Sequence, residues 1–343
     1  MAAAADDGTV LVGRPVADSV EDLLAAATRR TAFVPDDARS PAGFERVEID
    51  GRPCVVKYVH PDFDFTMRVS GDLGCRPRRV WEAGLMDLAP DTIDHAMLGV
   101  ARWGRNGWGA ALLMRDVSDD LPVLGDEPIS EDLHAAFLDA IAALAAPLWD
   151  YQGDMGMLPH RLRWAWFGPE QLAGEADLGF PEAVPRIATE GWQCFAELAP
   201  ADVLDAVETL RRDPLPLSDA LRSTPQTFVH GDWKIGNLGR ATDGRVVLLD
   251  WAYPGEGPVC HELTWYLALN RARIPRGHTK ESTIDDFRAA LERHGISTDG
   301  WWNRQLSLCL AGALVQFGWE KALGPADELD WWIDAARPGL NAL

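Results

Sequence analysis

The chain reads as a two-lobed α+β protein, with an antiparallel sheet and helices in front and a mainly helical lobe behind. Three observations predict this. Polarity alternates around an Asp-Gly turn in the first third, helical periodicity dominates from Ser130 onward, and 343 residues exceed one small core. The lobe boundary is expected after Met114, giving an N-terminal lobe over residues 1–114, a C-terminal lobe over 115–343 and a cleft between them.

Residues 16–30 have helical spacing, with Asp18 and Ser19 as candidate caps and Val20, Leu23, Leu24 and Ala27 on one face. Phe44 to Ile49 alternates like a strand, Asp50-Gly51 supplies a tight turn, and Cys54 to Val59 returns, which is a hairpin signal. Arg76 to Leu88 reads as a helix carrying Glu82, and a strand pair is expected at 96–103 and 109–114. Ser130 to Trp149 is an amphipathic helix. A second hairpin, turning at Asp243-Gly244, interrupts the helical lobe between Asn237-Leu238 and Val246 to Asp250. A long helical run then covers Leu306 to Phe317.

The net charge of −21 argues against a nucleic-acid partner held through phosphates. It permits attraction of a cationic substrate, although solubility alone accounts for such a charge. Five cysteines with no CxxC spacing suggest neither a disulfide framework nor a zinc site. The start, Met1-Ala-Ala-Ala-Ala-Asp-Asp, lacks the basic and apolar regions of a signal peptide. No stretch reaches ~18 uninterrupted apolar residues, so no membrane span is expected. We therefore expect a soluble, cytoplasmic monomer or dimer.

The most informative segment is His230-Gly-Asp232-Trp-Lys234-Ile-Gly-Asn237, followed by an apolar strand ending in Leu249-Asp250-Trp251. Asp232 and Asn237 are five residues apart, close enough to project from one loop, and the Asp243-Gly244 hairpin returns Asp250 beside them. Two hard oxygen ligands, Asn237 and Asp250, suit Mg2+, which keeps phosphate and water in its other positions. Asp232 is then placed to take a hydroxyl proton and Lys234 to sit against a transferring phosphate. That set of parts points to phosphoryl transfer.

His-Gly-Asp-x-x-x-x-Asn with a following Leu-Asp-Trp resembles the aminoglycoside phosphotransferase and choline kinase superfamily, relatives of the protein kinases. The resemblance implies a protein-kinase-like fold, with Asp232 as catalytic base and Asn237 and Asp250 holding the metal. The Asp232-Trp233-Lys234 order is closer to the protein-kinase catalytic loop than to many small-molecule kinases, where the lysine is often absent. In the nucleotide lobe, Cys54-Val-Val-Lys57 resembles the strand whose lysine meets the α- and β-phosphates of ATP. Glu82 is the expected acidic partner on the next helix, with Asp87 as fallback. Only four of the 32 basic residues are lysines, so two at expected phosphate positions carry weight. Ser40, Gly43 and Phe44 would cover the phosphates, in place of a full glycine-rich loop. Leu112 to Val117 resembles the interlobe hinge, with Met114 closing the strand and Arg115 and Val117 offering a carbonyl and an amide to adenine.

Over Asp232 the acceptor candidates are aromatic and acidic: Trp251, Glu256, Trp319 and Glu320, with Trp233 and Trp265 beside them. Trp319-Glu320 falls where the superfamily commonly completes its acceptor pocket. Glu262 matches an acid that braces the catalytic loop in relatives. The expected activity is ATP- and Mg2+-dependent phosphorylation of a small-molecule hydroxyl, on an aminoglycoside, amino sugar, related antibiotic or choline-like amino alcohol. An antibiotic acceptor would imply resistance, and an amino alcohol a metabolic role. The alternatives are a silent nucleotide-binding module and a protein kinase. The latter is disfavoured by the lack of Asp-Phe-Gly and of an Ala-Pro-Glu ending after Asp250.

Overall fold

The computed structural model describes residues 12–35, 43–123, 125–152, 157–179, 183–270 and 273–343. The front part is an antiparallel five-stranded sheet in the order β1-β2-β3-β6-β5, where β1 is Ala27–Phe33, β2 Phe44–Ile49, β3 Arg52–Val59, β5 Met97–Trp103 and β6 Gly109–Arg115. The short strand β4 (Ile93–Asp94) leaves this sheet and pairs in parallel with β9 (Val246–Leu248), which also pairs with β8 (Leu238–Arg240). The hairpin behind is thus stitched to the front. A further pair joins β7 (Thr227–Val229) to β10 (Gly255–Gly257).

Helices dominate the rest: α4 (Glu131–Ala145), α5 (Pro169–Leu178), α6 (Ala183–Leu198), α7 (Ala201–Arg212), α8 (Leu215–Arg222), α9 (Cys260–Leu269), α10 (Lys280–Arg293), α11 (Trp302–Ala322) and α12 (Ala326–Leu340). The fold is the expected protein-kinase-like α+β arrangement, an antiparallel sheet followed by a helical lobe. Buried α9 and α11 form its spine, since nearly every position on α9 and most on α11 are buried.

Local chemistry explains most boundaries. Asp50 and Gly51, at φ 51° and 72°, close the β2–β3 hairpin with Ile49 opposite Arg52, the two-residue turn that strand twist favours. In β3, Cys54, Val56 and Tyr58 pack into a core under α1 (Val20–Leu23), while Val55, Lys57 and Val59 face the cleft. Strand alternation therefore aims Lys57.

Three expectations need correction. The helical spacing over 16–30 produces only α1, capped by the Ser19 hydroxyl. From Ala27 the chain becomes β1, because its exposed, Thr- and Arg-rich residues gain a full ladder on β2. The helix expected over 76–88 stops at Glu82. Gly84, at φ 72°, lies where a Cβ would come within 2.5 Å of Val12 O, so α3 (Arg76–Glu82) gives way to one 3₁₀ turn. The preceding turn of helix, α2 (Phe65–Val69), is capped by Asp64 and too short to read from periodicity. The third concerns α11, which continues to Ala322, so Trp319 and Glu320 lie inside it rather than beyond its end.

Candidate active site

A cleft of about 1110 Å³ runs between sheet and helices, and Lys57, Asp232, Lys234, Asn237 and Asp250 all line it. The loop after β7 places the first of these acids. Gly231 makes the corner at φ 84°, where a Cβ would meet Tyr253 O at 2.5 Å and Arg163 Nη1 at 2.7 Å, so glycine is required. The buried His230 accepts from the Asp232 amide through Nδ1 (3.2 Å) and spans to Leu249 O through Nε2 (2.9 Å). This assigns the proton to Nε2, and burial, which pushes the imidazole pKa down to about 4, keeps it neutral. His230 thereby ties the loop to the strand end that carries Asp250.

Asp232 is almost fully buried. Its Oδ1 accepts from Trp265 Nε1 at 2.9 Å; its Oδ2 accepts from Asn237 Nδ2 at 2.8 Å and lies 3.0 Å from Lys234 Nζ. Because Nδ2 of Asn237 is committed to Asp232, the side-chain oxygen of Asn237 is the atom available to a cation. The Leu249 amide donates to the backbone carbonyl of Asn237 at 2.9 Å, which ties the strand end carrying Asp250 to Asn237. Asp250 adopts φ 61°, a left-handed conformation that aspartate tolerates better than most residues. Burial pushes its carboxyl up, but Lys57, 2.8 Å away, and Lys234 outweigh this and hold it below the ordinary carboxylate range. An ionised carboxylate and an amide oxygen lining one cleft are donor chemistry that fits Mg2+.

Helix α9 clamps the loop from below. Glu262 accepts from Gly231 N at 3.0 and 3.2 Å, the bracing role expected of it, and burial pushes its pKa up to about 7. Asn270 accepts from Ile235 N at 2.8 Å and donates to Trp233 O and Tyr266 O. Arg163, fully buried, donates to Tyr253 O at 3.1 Å and closes the Gly231 corner. Asn270 and Arg163 were not singled out from the sequence. Asn270 sits at the end of α9, two turns after Glu262, a spacing that could have suggested it; Arg163 carries no local signal.

Several expected positions are not brought to the site. Glu82 is exposed and pairs with Arg78 at 3.0 Å, whereas Lys57 pairs with Asp250. The fallback, Asp87, pairs with Arg14. Trp251 is core, with its indole N–H donated to Leu248 O and its ring against His230. Glu256 is not among the cleft-lining residues and pairs with Arg222 at 3.2 Å. Phe44, Met114, Arg115, Val117, Trp319 and Glu320 do line the cleft. Gly43 accepts from Tyr58 N and leads into β2, and Ser40 lies outside the described residues. Arg115 is fixed by Asp94 (2.7 Å) and Asp120 (3.0 Å), which holds the connector between sheet and helices in place.

A profile of the Phosphotransferase enzyme family matches residues 97–301, well over half of the chain. The chain belongs to this family, and its class is that of the small-molecule kinases. Solved structures share the fold. Choline kinase LicA from Streptococcus pneumoniae aligns at 10% identity and a TM-score of 0.50, over 94% of this chain and 98% of that one. LicA in complex with AMP gives 13%, 0.52, 94% and 97%. A microcompartment-associated aminopropanol kinase gives 10%, 0.50, 93% and 94%. No curated protein matches the chain by sequence. Among the described residues, no helix is long and apolar enough to cross a membrane.

Proposed function

We propose that this kinase transfers the γ-phosphoryl group of ATP, with Mg2+, to a hydroxyl of a small molecule, using Asp232 as catalytic base. The observation that carries the reading is the convergence of Asp232, Asn237 and Asp250 on one cleft with Lys57 and Lys234. Residues 1–114 form the nucleotide lobe in this reading and 115–343 the acceptor lobe. Adenine lies at the connector, against the Arg115 carbonyl and the Val117 amide, with Phe44 over the phosphates. LicA, which shares the fold, is known in complex with AMP, and this supports a nucleotide as ligand.

The reaction asks for positioning more than covalent chemistry. The acceptor hydroxyl lies over Asp232, whose two oxygens are held by Trp265 and Asn237. As its oxygen bonds to the γ-phosphorus, the bond to the ADP oxygen breaks and that oxygen keeps the electron pair. The hydroxyl proton passes to Asp232. Lys57 exchanges part of its contact with Asp250 for the α- and β-phosphates, and Lys234 faces the charge on the transferred group. When bound, Mg2+ would be held by Asn237 and Asp250 and would neutralise phosphate charge.

The test is Asp232→Asn in a coupled ADP-release assay with an accepted substrate. Nucleotide binding should persist while turnover falls by roughly 10²–10⁴-fold. Near-normal turnover would remove Asp232 from the role of base.

A further inference from the structure

The acceptor half of the cleft carries information about what it receives. Trp166, Phe167, Trp265, Phe317 and Trp319 line it with Tyr253, and their rings interlock into one wall. Trp166 lies 4.3 Å from Tyr253 and 5.5 Å from Trp265, Trp265 lies 4.9 Å from Phe317, and Phe167 lies 5.2 Å from Trp319. Val184 and Ile187, one turn apart on α6, extend the apolar surface toward solvent.

Most acids bordering the cleft already have a basic partner. Asp72 accepts twice from Arg76 N, at 3.1 and 2.9 Å, and lies 3.9 Å from its guanidinium. Glu320 lies 2.7 Å from Lys321 Nζ, and Asp232 and Asp250 face Lys234 and Lys57 at 3.0 and 2.8 Å. Asp64 accepts from Thr66 N, Met67 N and the Thr66 hydroxyl at 2.9, 3.2 and 2.6 Å, all through Oδ1, which commits that oxygen to capping α2. Asp116 accepts from the Ser118 amide and hydroxyl, again through Oδ1 alone. A polycationic sugar entering here would desolvate several ammonium groups without an unpaired carboxylate for each, since among the cleft-lining acids only Asp64 and Asp116 have no ion pair among the described residues. An aromatic wall compensates one cation at most.

We propose that the acceptor is a hydroxylated molecule with a broad apolar body and no more than one positive charge, not a polycationic amino sugar. This rests on the kinase reading above and narrows it. The apolar body lies on the Trp166–Trp319 wall and delivers one hydroxyl to Asp232.

The test uses the full chain with Mg2+ and a non-hydrolysable ATP analogue. Neutral hydroxysteroids, hydroxylated macrocyclic lactones, choline and kanamycin are titrated by intrinsic tryptophan fluorescence and then compared in the ADP-release assay with ATP. A member of the neutral apolar group should bind and turn over with kcat/KM at least about tenfold above kanamycin and choline, a difference of about 1.4 kcal/mol. Ile187→Asp, on a partly exposed helix face where folding is tolerant, should raise the KM of that acceptor and improve kanamycin binding. Trp319→Phe should raise KM for the apolar acceptor and leave nucleotide affinity unchanged. Kanamycin or choline as the preferred ligand, failure of every apolar probe to bind, or indifference to Ile187→Asp each overturns the proposal. Failure of the chain to bind nucleotide by calorimetry counts instead against the kinase reading.

Discussion

Glu262→Gln separates the bracing of the catalytic loop from its electrostatic cost. In the folded chain the Glu262 carboxyl is buried against Gly231 N, and its pKa rises from 4.5 to about 7. That gap corresponds to about 3 kcal/mol. The folded state binds the extra proton between pH 4.5 and about 7, so the contribution of Glu262 to stability is complete below 4.5 and is lost as pH rises through 7. Glutamine keeps an oxygen for Gly231 N and cannot ionise. Its amide adds only a pH-independent offset. Urea denaturation of both proteins from pH 4.5 to 8 should therefore show the stability difference moving toward the variant by about 3 kcal/mol across this window. Taking the difference cancels the other titrating groups, among them Asp250 and His230, which are common to both proteins. Glu262→Ala, by contrast, leaves a buried N–H unsatisfied and should cost about 1–3 kcal/mol at every pH, before any cavity cost. A stability difference for Glu262→Gln that is flat with pH, or that grows against the variant as pH rises, would refute the reasoning.

Trp265→Phe keeps the ring in the wall but removes the N–H that holds Asp232 Oδ1. Stopped assays should show kcat down by about tenfold with nucleotide KM unchanged, since a hydrogen bond to a charged group contributes about 1.5–3 kcal/mol; a change in nucleotide KM alone would contradict this. Lys57→Ala should weaken ATP binding by at least about tenfold in calorimetry. Unchanged affinity there would remove Lys57 from the phosphates.

Four strands of the sheet, the hairpin at Asp50-Gly51 and the catalytic loop were legible because each rests on local chemistry: alternation, a turn residue pair, and oxygen ligands at short spacing. Asp232, Asn237 and Asp250 meet because one hairpin returns the chain, and Asp243-Gly244 announces that hairpin in the sequence. Glu82 failed for a tertiary reason. It faces Arg78 on its own helix, and Lys57 meets Asp250 from the loop after β9 instead. Trp251 and Trp265 were indistinguishable by type, yet Trp251, in the loop after β9, fills the core, while Trp265, on α9, reaches Asp232. The short strand β4 and the clamp from Asn270 depend on partners 153 and 35 residues away in the chain, and no local pattern encodes such distances.

The central claim is that Asn237 and Asp250 hold a magnesium–nucleotide complex facing Asp232. Calorimetric titration of ATP, with and without Mg2+, into the parent chain and Asp250→Asn tests it most directly, because asparagine keeps the size of the side chain and tolerates its left-handed backbone. The parent should bind ATP more tightly with Mg2+ present, and the variant should lose about tenfold or more of that affinity. Equal affinity with and without the metal, or an unchanged variant, would contradict the account.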